Sequence, residues 1–182
     1  MNRRETSAFA LALAASLASA QPAAASDEGW DHAGSLTRDA LVIAAFGVPV
    51  VQGDWDGALQ AGGSIGGASI ITYGLKETFP EIRPDGSDNK SFPSGHTSVS
   101  FAAAATMQNR YGWKVGVPAH LAAAFVGLSR VEARKHHVHD VLVGAAIGEA
   151  TGFLITHRKD DRVQVFPWGD TKSGGIALSM RF

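Results

Sequence analysis

Three separated segments hold residue types that together suit phosphoryl transfer: Lys76, six residues, then Arg83-Pro84; Pro93-Ser94-Gly95-His96; and Ser129-Arg130, five residues, His136, three residues, Asp140. A transferring phosphoryl group carries its charge on three equatorial oxygens, so catalysis is mostly positioning and stabilisation by fixed cationic donors. Arg83 and Arg130 can each grip two oxygens through a planar fork, and Lys76 supplies a compact point charge. Ser94 and the backbone amide of Gly95 add donors where the Pro-Ser-Gly-His run turns into a helix, whose first amides favour an anion. His136 and Asp140 are four positions apart and share a face if both are helical. In that geometry, or with His136 just ahead of the helix, the carboxylate holds one ring N–H and leaves the other nitrogen free to attack phosphorus. His96 is then the candidate proton donor to the leaving alkoxide, so one histidine must start neutral and the other protonated.

For these residues to meet, the elements that carry them must bring their ends together. The apolar pattern predicts helices over 36–51, 55–77, 95–109, 114–128 and 138–157, with short connections at Gly53-Asp54, Pro80, Arg83-Pro84-Asp85-Gly86 and Tyr111-Gly112. The first segment then closes the second helix, the next opens the third and the last opens the fifth. All three can face one side of an all-α bundle. Gly62-Gly63 and Gly66-Gly67 form one glycine row, and Gly144, Gly148 and Gly152 form another at the same four-residue spacing. A glycine costs an exposed helix about 1 kcal/mol against alanine, so such rows belong where helices touch closely. After His157 the pattern changes. Lys159-Asp160-Asp161 reads as a charged linker, and residues 162–166 and 175–182 alternate like the strands of a short C-terminal β-hairpin.

The ordered set of motifs resembles the signature of the type 2 phosphatidic acid phosphatase superfamily, which also includes bacterial non-specific acid phosphatases and vanadium haloperoxidases. The likeness covers residues 70–156. It implies a helical bundle of that type with His136 as nucleophile, Asp140 as its orienting partner and His96 as general acid. Lys76, Arg83, Ser94, Gly95 and Arg130 would hold the phosphate, with no catalytic metal and no other cofactor. The implied activity is hydrolysis of phosphate monoesters or diphosphates through a phosphohistidine. The loop between Arg83-Pro84 and Pro93 is too short for a large lid, and with apolar helices it leaves the pocket open to a membrane-side substrate, which favours lipid-linked phosphates. The same residues also fit a broad-specificity soluble acid phosphatase, a haloperoxidase holding vanadate on His136, or transfer to an acceptor other than water.

The run from Arg134 to Asp140 admits a different reading, because His136, His137 and His139 with Asp140 resemble zinc ligands and would suit a non-catalytic metal-binding module. Arg130, Arg134 and Lys135 would repel a cation there, so the expectation is no metal, with His137 and His139 exposed or tuning the field of the site. Of the 182 residues 45% are hydrophobic, none is cysteine and the net charge is −1, which allows one domain with one core and points to no nucleic-acid partner.

At the N-terminus, Arg3 and Arg4 precede an apolar stretch over 8–17 and the small-residue site Ala18-Ser19-Ala20, the pattern of a secretory signal over 1–20. The expectation is export across the inner membrane to the periplasm or the periplasmic face of a membrane. There the bundle spans 27–158 and the hairpin tail, 159–182, belongs to the same domain. The charge-free stretch from Gly57 to Leu75 is long enough to span a bilayer, whereas Glu149 interrupts the last helix and the mean hydropathy is only +0.02. Soluble and embedded settings are left equal by these signals, and the oligomeric state is unconstrained. The partner expected is a phosphorylated small molecule or lipid.

Overall fold

A computed structural model of the chain describes residues 26–158, 163–169 and 173–180; the expected signal segment and the charged linker lie outside these residues. Five helices precede two strands: α1 Asp27–Val51, α2 Trp55–Thr78, α3 Gly95–Tyr111, α4 Trp113–Glu132, α5 Val138–Ile155, β1 Val163–Gly169 and β2 Gly174–Met180. The strands pair antiparallel from Val163↔Met180 to Gly169↔Gly174, the hairpin expected from their alternation.

Capping explains most of the boundaries. Ser26 accepts the Gly29 N–H at 3.0 Å and opens α1, with Asp27 and Glu28 facing the positive helix end. Asp54 does the same for α2 through Gly57 N–H at 3.0 Å. Gly112, at φ 83°, supplies the left-handed turn that ends α3 and starts α4. Two boundaries differ from the sequence reading by more than two residues. The first helix begins at Asp27 instead of Leu36, because the Ser26 cap outweighs the weak apolar pattern of its first turns. The fourth continues to Glu132, which places Arg130 in its last turn.

α3 sits at the centre and packs against each of the other four helices. Its interior surface is made of small residues: Ala102, Ala103, Ala104 and Ala105 are all fully buried. Buried hydroxyls tie it to its neighbours, with Thr72 donating to Ser98 at 2.9 Å, Ser64 and Thr106 at 2.6 Å, and Thr156 donating to Thr106 at 3.2 Å. The glycine row of α5 is pressed on α3: a Cβ at Gly148 would lie 2.3 Å from the Ser98 carbonyl oxygen, and one at Gly152 would lie 2.4 Å from the Ala105 Cβ. The row on α2 is looser, since a Cβ at Gly66 would meet nothing within 4 Å.

Large apolar side chains lie mostly on the outside of the bundle. Ile43, Leu59, Ile70, Leu121 and Leu154 are all at least two-thirds exposed. α1 and α5 are long and apolar enough to cross a membrane by length and composition.

The alternating up-and-down course puts the start of α1, the end of α2, the start of α3, the end of α4 and the start of α5 at one end. At the opposite end Arg110 pairs with Asp54 and donates to Gln60 Oε1 and the His157 carbonyl, both at 3.2 Å. That buried network ties the α1–α2 turn to the ends of α3 and α5.

Candidate active site

The segment between α2 and α3 folds back on itself, with Glu81 N–H donating to Asn89 O, Arg83 N–H to Asp88 O and Ser91 N–H to Glu81 O, at 2.9–3.0 Å. Lys76, in the last turn of α2, fixes this segment. Its ammonium donates to the carbonyls of Lys90, Ser91 and Pro93 at 2.7, 3.1 and 2.6 Å. All three of its protons are thereby engaged at the entrance to α3. Arg83 donates through Nε to Asp88 at 2.6 Å and through Nη1 to the Lys135 carbonyl at 3.3 Å. Asp85 N–H donates to Arg134 O at 3.0 Å and its carboxylate pairs with Lys135 at 2.7 Å. The first and third motifs are therefore stitched directly together.

Ser94 caps α3, with its hydroxyl 2.9 Å from that of Thr97, and its own N–H donates to the Asp140 carbonyl at 3.0 Å. Gly95 is the first residue of α3, where helical geometry leaves the amide without an intrahelical acceptor. His136 lies just ahead of α5, the second of the two placements open to it. Its N–H donates to Arg130 O at 3.1 Å, which links the end of α4 to the start of α5.

Asp140 is fully buried, and its Oδ2 accepts the Ser91 hydroxyl at 2.5 Å and the His137 N–H at 2.8 Å. The latter bond forms a capping box that sets the carboxylate's position. His136 Nδ1 stands 3.5 Å from Asp140 Oδ2 and has no hydrogen-bond partner among the described residues. The pair is thus in register for an orienting contact without closing it.

His136 is 4% exposed, and burial first, then the positive charges of Lys76 and Arg83, push its pKa down to about 4 against the pull of Asp140. Its ring is therefore neutral at neutral pH. Arg130 is also buried and pairs through Nη2 with Asp31, while its Nε has no partner among the described residues.

α1 contributes a face that the motifs do not include. Arg38 Nη1 is 2.7 Å and Ser35 Oγ 3.2 Å from His96 Nε2. A guanidinium only donates, so Nε2 accepts and does not carry the proton in this arrangement. His96 also lies in the field of Arg130, Asp31 and His136, which places the two histidines in one charged cradle. Asp31, Ser35 and Arg38 occur at i, i+4 and i+7, one polar stripe on α1, and that spacing was the available signal. Ser91, which holds Asp140, had none.

A sequence model of the PAP2 superfamily matches residues 57–164. Over 82 residues the chain is 40% identical to the Lipid A 1-phosphatase of Porphyromonas gingivalis, covering 43% of this chain and 18% of that protein. Over 109 residues it is 32% identical to the Lipid A 4'-phosphatase of Helicobacter pylori, covering 53% of this chain and 55% of that one. The chain thus spans about half or less of the length of these curated relatives. Among solved structures, Aquifex aeolicus LpxE superposes with a TM-score of 0.61 at 22% identity, covering 72% of this chain and 84% of that one. The transmembrane PAP2 type phosphatidylglycerolphosphate phosphatase from Bacillus subtilis gives 0.56 at 28% identity, with 85% of each chain covered. The fold is that of these proteins, and the chain belongs to the PAP2 superfamily.

Proposed function

We propose that this chain is a metal-independent phosphatase that hydrolyses lipid-linked phosphate monoesters or diphosphates through a phosphohistidine on His136. The observation that carries the reading is the cradle itself. Lys76, Arg83 and Arg130, from three separate parts of the chain, set a positive field at His136, with Asp140 at 3.5 Å from its Nδ1.

In the first step Nε2 of neutral His136 attacks phosphorus while the Asp140 carboxylate, accepting from Nδ1–H, balances the positive charge that develops on the ring. The phosphorus–oxygen bond to the leaving group breaks, and His96 delivers the proton that the departing oxygen needs. In the second step His96 accepts a proton from water, the hydroxide attacks phosphorus, and the phosphorus–nitrogen bond breaks to release inorganic phosphate and restore His136. Arg83, Arg130, the Ser94 hydroxyl and the Gly95 amide donate to the equatorial oxygens, and Lys76, whose protons hold the entrance to α3, adds its positive charge to the field they meet. An incoming phosphate draws Arg38 off His96 Nε2, which frees that nitrogen to gain the proton it must later give.

The lipid part of the reading rests on where the apolar side chains lie. Large aliphatic residues outside and alanine, serine and glycine inside are what helices packed in a bilayer require, because lipid rewards close contact of small residues while water does not. Both lipid A phosphatase relatives and the transmembrane phosphatidylglycerolphosphate phosphatase point the same way. The signal-like N-terminus supports a cradle on the periplasmic face, with the five helices as the catalytic domain and the hairpin as its tail.

The test is phosphate release from a lipid phosphate in detergent and from an aryl phosphate, both with chelator. We expect release from the lipid that resists chelator and falls by several orders of magnitude in His136→Ala with the fold intact. Release that His136→Ala retains, or that chelator removes, contradicts the proposal.

A further inference from the structure

Beside the cradle, the segment after α2 and the start of α5 bring Glu81, His137, His139 and Asp140 together, with one donor atom from each within 4.8 Å of the others. His139 Nε2 lies 3.0 Å from Glu81 Oε1 and 3.2 Å from Asp140 Oδ1. His137 Nδ1 lies 3.4 Å from Glu81 Oε1 and 3.6 Å from Asp140 Oδ2. Nitrogen and oxygen ligands at about 2.0–2.2 Å around a tetrahedral zinc ion stand roughly 3.3–3.5 Å from one another. The separations that involve Glu81 Oε1 and Asp140 Oδ1, 3.0, 3.2 and 3.4 Å, lie at or just under that spacing, and the fourth is to the other oxygen of Asp140.

Protons alone satisfy this cluster poorly. A ring nitrogen donates one hydrogen, yet His139 Nε2 faces both oxygens of Glu81 as well as Asp140 Oδ1. Asp140 Oδ1 is buried without a hydrogen-bond partner among the described residues, on a side chain that is 0% exposed. Charging both imidazoles to match the two carboxylates would stack like charges, since the His137 and His139 rings are nearly parallel, 11° apart in plane, with centroids 5.2 Å apart. A dication held by two neutral imidazoles and two carboxylates removes both difficulties, because it neutralises the carboxylates and occupies the free oxygen.

The repulsion expected from neighbouring cations is directed elsewhere. Lys135 is paired with Asp85, Arg134 donates to the Pro84 carbonyl and Arg130 pairs with Asp31. Glu81, distant in sequence from the histidine run, completes the set in place of His136, which belongs to the cradle.

We propose that Glu81, His137, His139 and Asp140 bind a divalent transition-metal ion of zinc's chemistry, and that its binding inhibits turnover. Two imidazoles select zinc-like ions over magnesium. The inhibition rests on the role proposed for His136: a metal on Asp140 takes electron density from the carboxylate that must support the ring of the nucleophile.

The experiment uses untagged, chelator-stripped protein in detergent, titrated with zinc against a chromogenic chelator. One zinc per chain is expected, with affinity weakened at least tenfold in His139→Ala and in Glu81→Gln and no competition from magnesium. No binding, or unchanged affinity in both variants, would overturn the site. This arm reads no turnover, so it stands or falls independently of the phosphatase reading. In the second arm, phosphate release is measured against zinc, each protein normalised to its own zinc-free rate. Half-inhibition should move at least tenfold upward in His139→Ala. Equal inhibition of wild type and both variants would overturn the inhibitory role.

Discussion

Arg130 is buried and its outward-facing nitrogen is paired with Asp31, a residue of α1 whose side chain is 41% exposed. A substrate phosphate that uses this nitrogen must displace that carboxylate. Asp31→Asn should therefore lower KM by about 1.4- to 5-fold, the size of a half-exposed ion pair worth about 0.2–1 kcal/mol. Steady-state kinetics on a lipid phosphate checks this, and a raised KM would show that Asp31 helps to hold substrate. His136 carries a second expectation. Its pKa is pushed down to about 4, first by burial and then by Lys76 and Arg83, and only the neutral ring attacks. The acid limb of kcat/KM, corrected for the substrate's own ionisation, should fall near pH 4; a limb near pH 6.5 would mean an ordinary exposed histidine. The three motifs were legible because each holds reactive residue types at fixed spacing. Asp31, Ser35 and Arg38 were not, since a polar stripe on a helix acquires meaning only when α1 is seen to start beside the start of α3. Ser91 was invisible for the same reason: its partner, Asp140, is distant in sequence.

The helices place these groups by how closely they approach one another. α5 can bring Asp140 and His136 to the start of α3 because its glycine row lets backbone meet backbone, and Gly148 leaves no room for a methyl group against the Ser98 carbonyl. Gly148→Ala should destabilise the protein by about 1–3 kcal/mol, as overpacking does, and reduce turnover by displacing the start of α5. Gly66→Ala, with nothing within 4 Å of the added carbon, should be neutral or stabilising by up to about 1 kcal/mol. Thermal unfolding in detergent distinguishes the two, and equal effects would contradict this packing. From the sequence both rows read alike, and only their neighbours tell them apart. The positions of the helices themselves were readable from caps and turns. The start of α1 was missed because Trp30, His32 and Gly34 blur its apolar period, although Ser26-Asp27-Glu28 carries a cap signal.

Taken as one object, the bundle has small residues, alanine with serine and threonine, inside, aliphatic residues outside, the candidate catalytic constellation at one end and a buried ion pair at the other. Hydropathy averaged over the chain hid this arrangement, because loops and the charged end offset the apolar flanks, and so the sequence left soluble and embedded settings equal. An embedded bundle should stay with the membrane fraction after alkaline carbonate washing; recovery in the wash would contradict it. The central claim is a covalent intermediate on His136. The most direct test is to quench the enzyme during turnover of a lipid phosphate carrying labelled phosphorus and to map the label. The account predicts an acid-labile, alkali-stable phosphoryl group on the peptide containing His136 and none in His136→Ala. A label on another residue, or turnover with label still present in that variant, would contradict it.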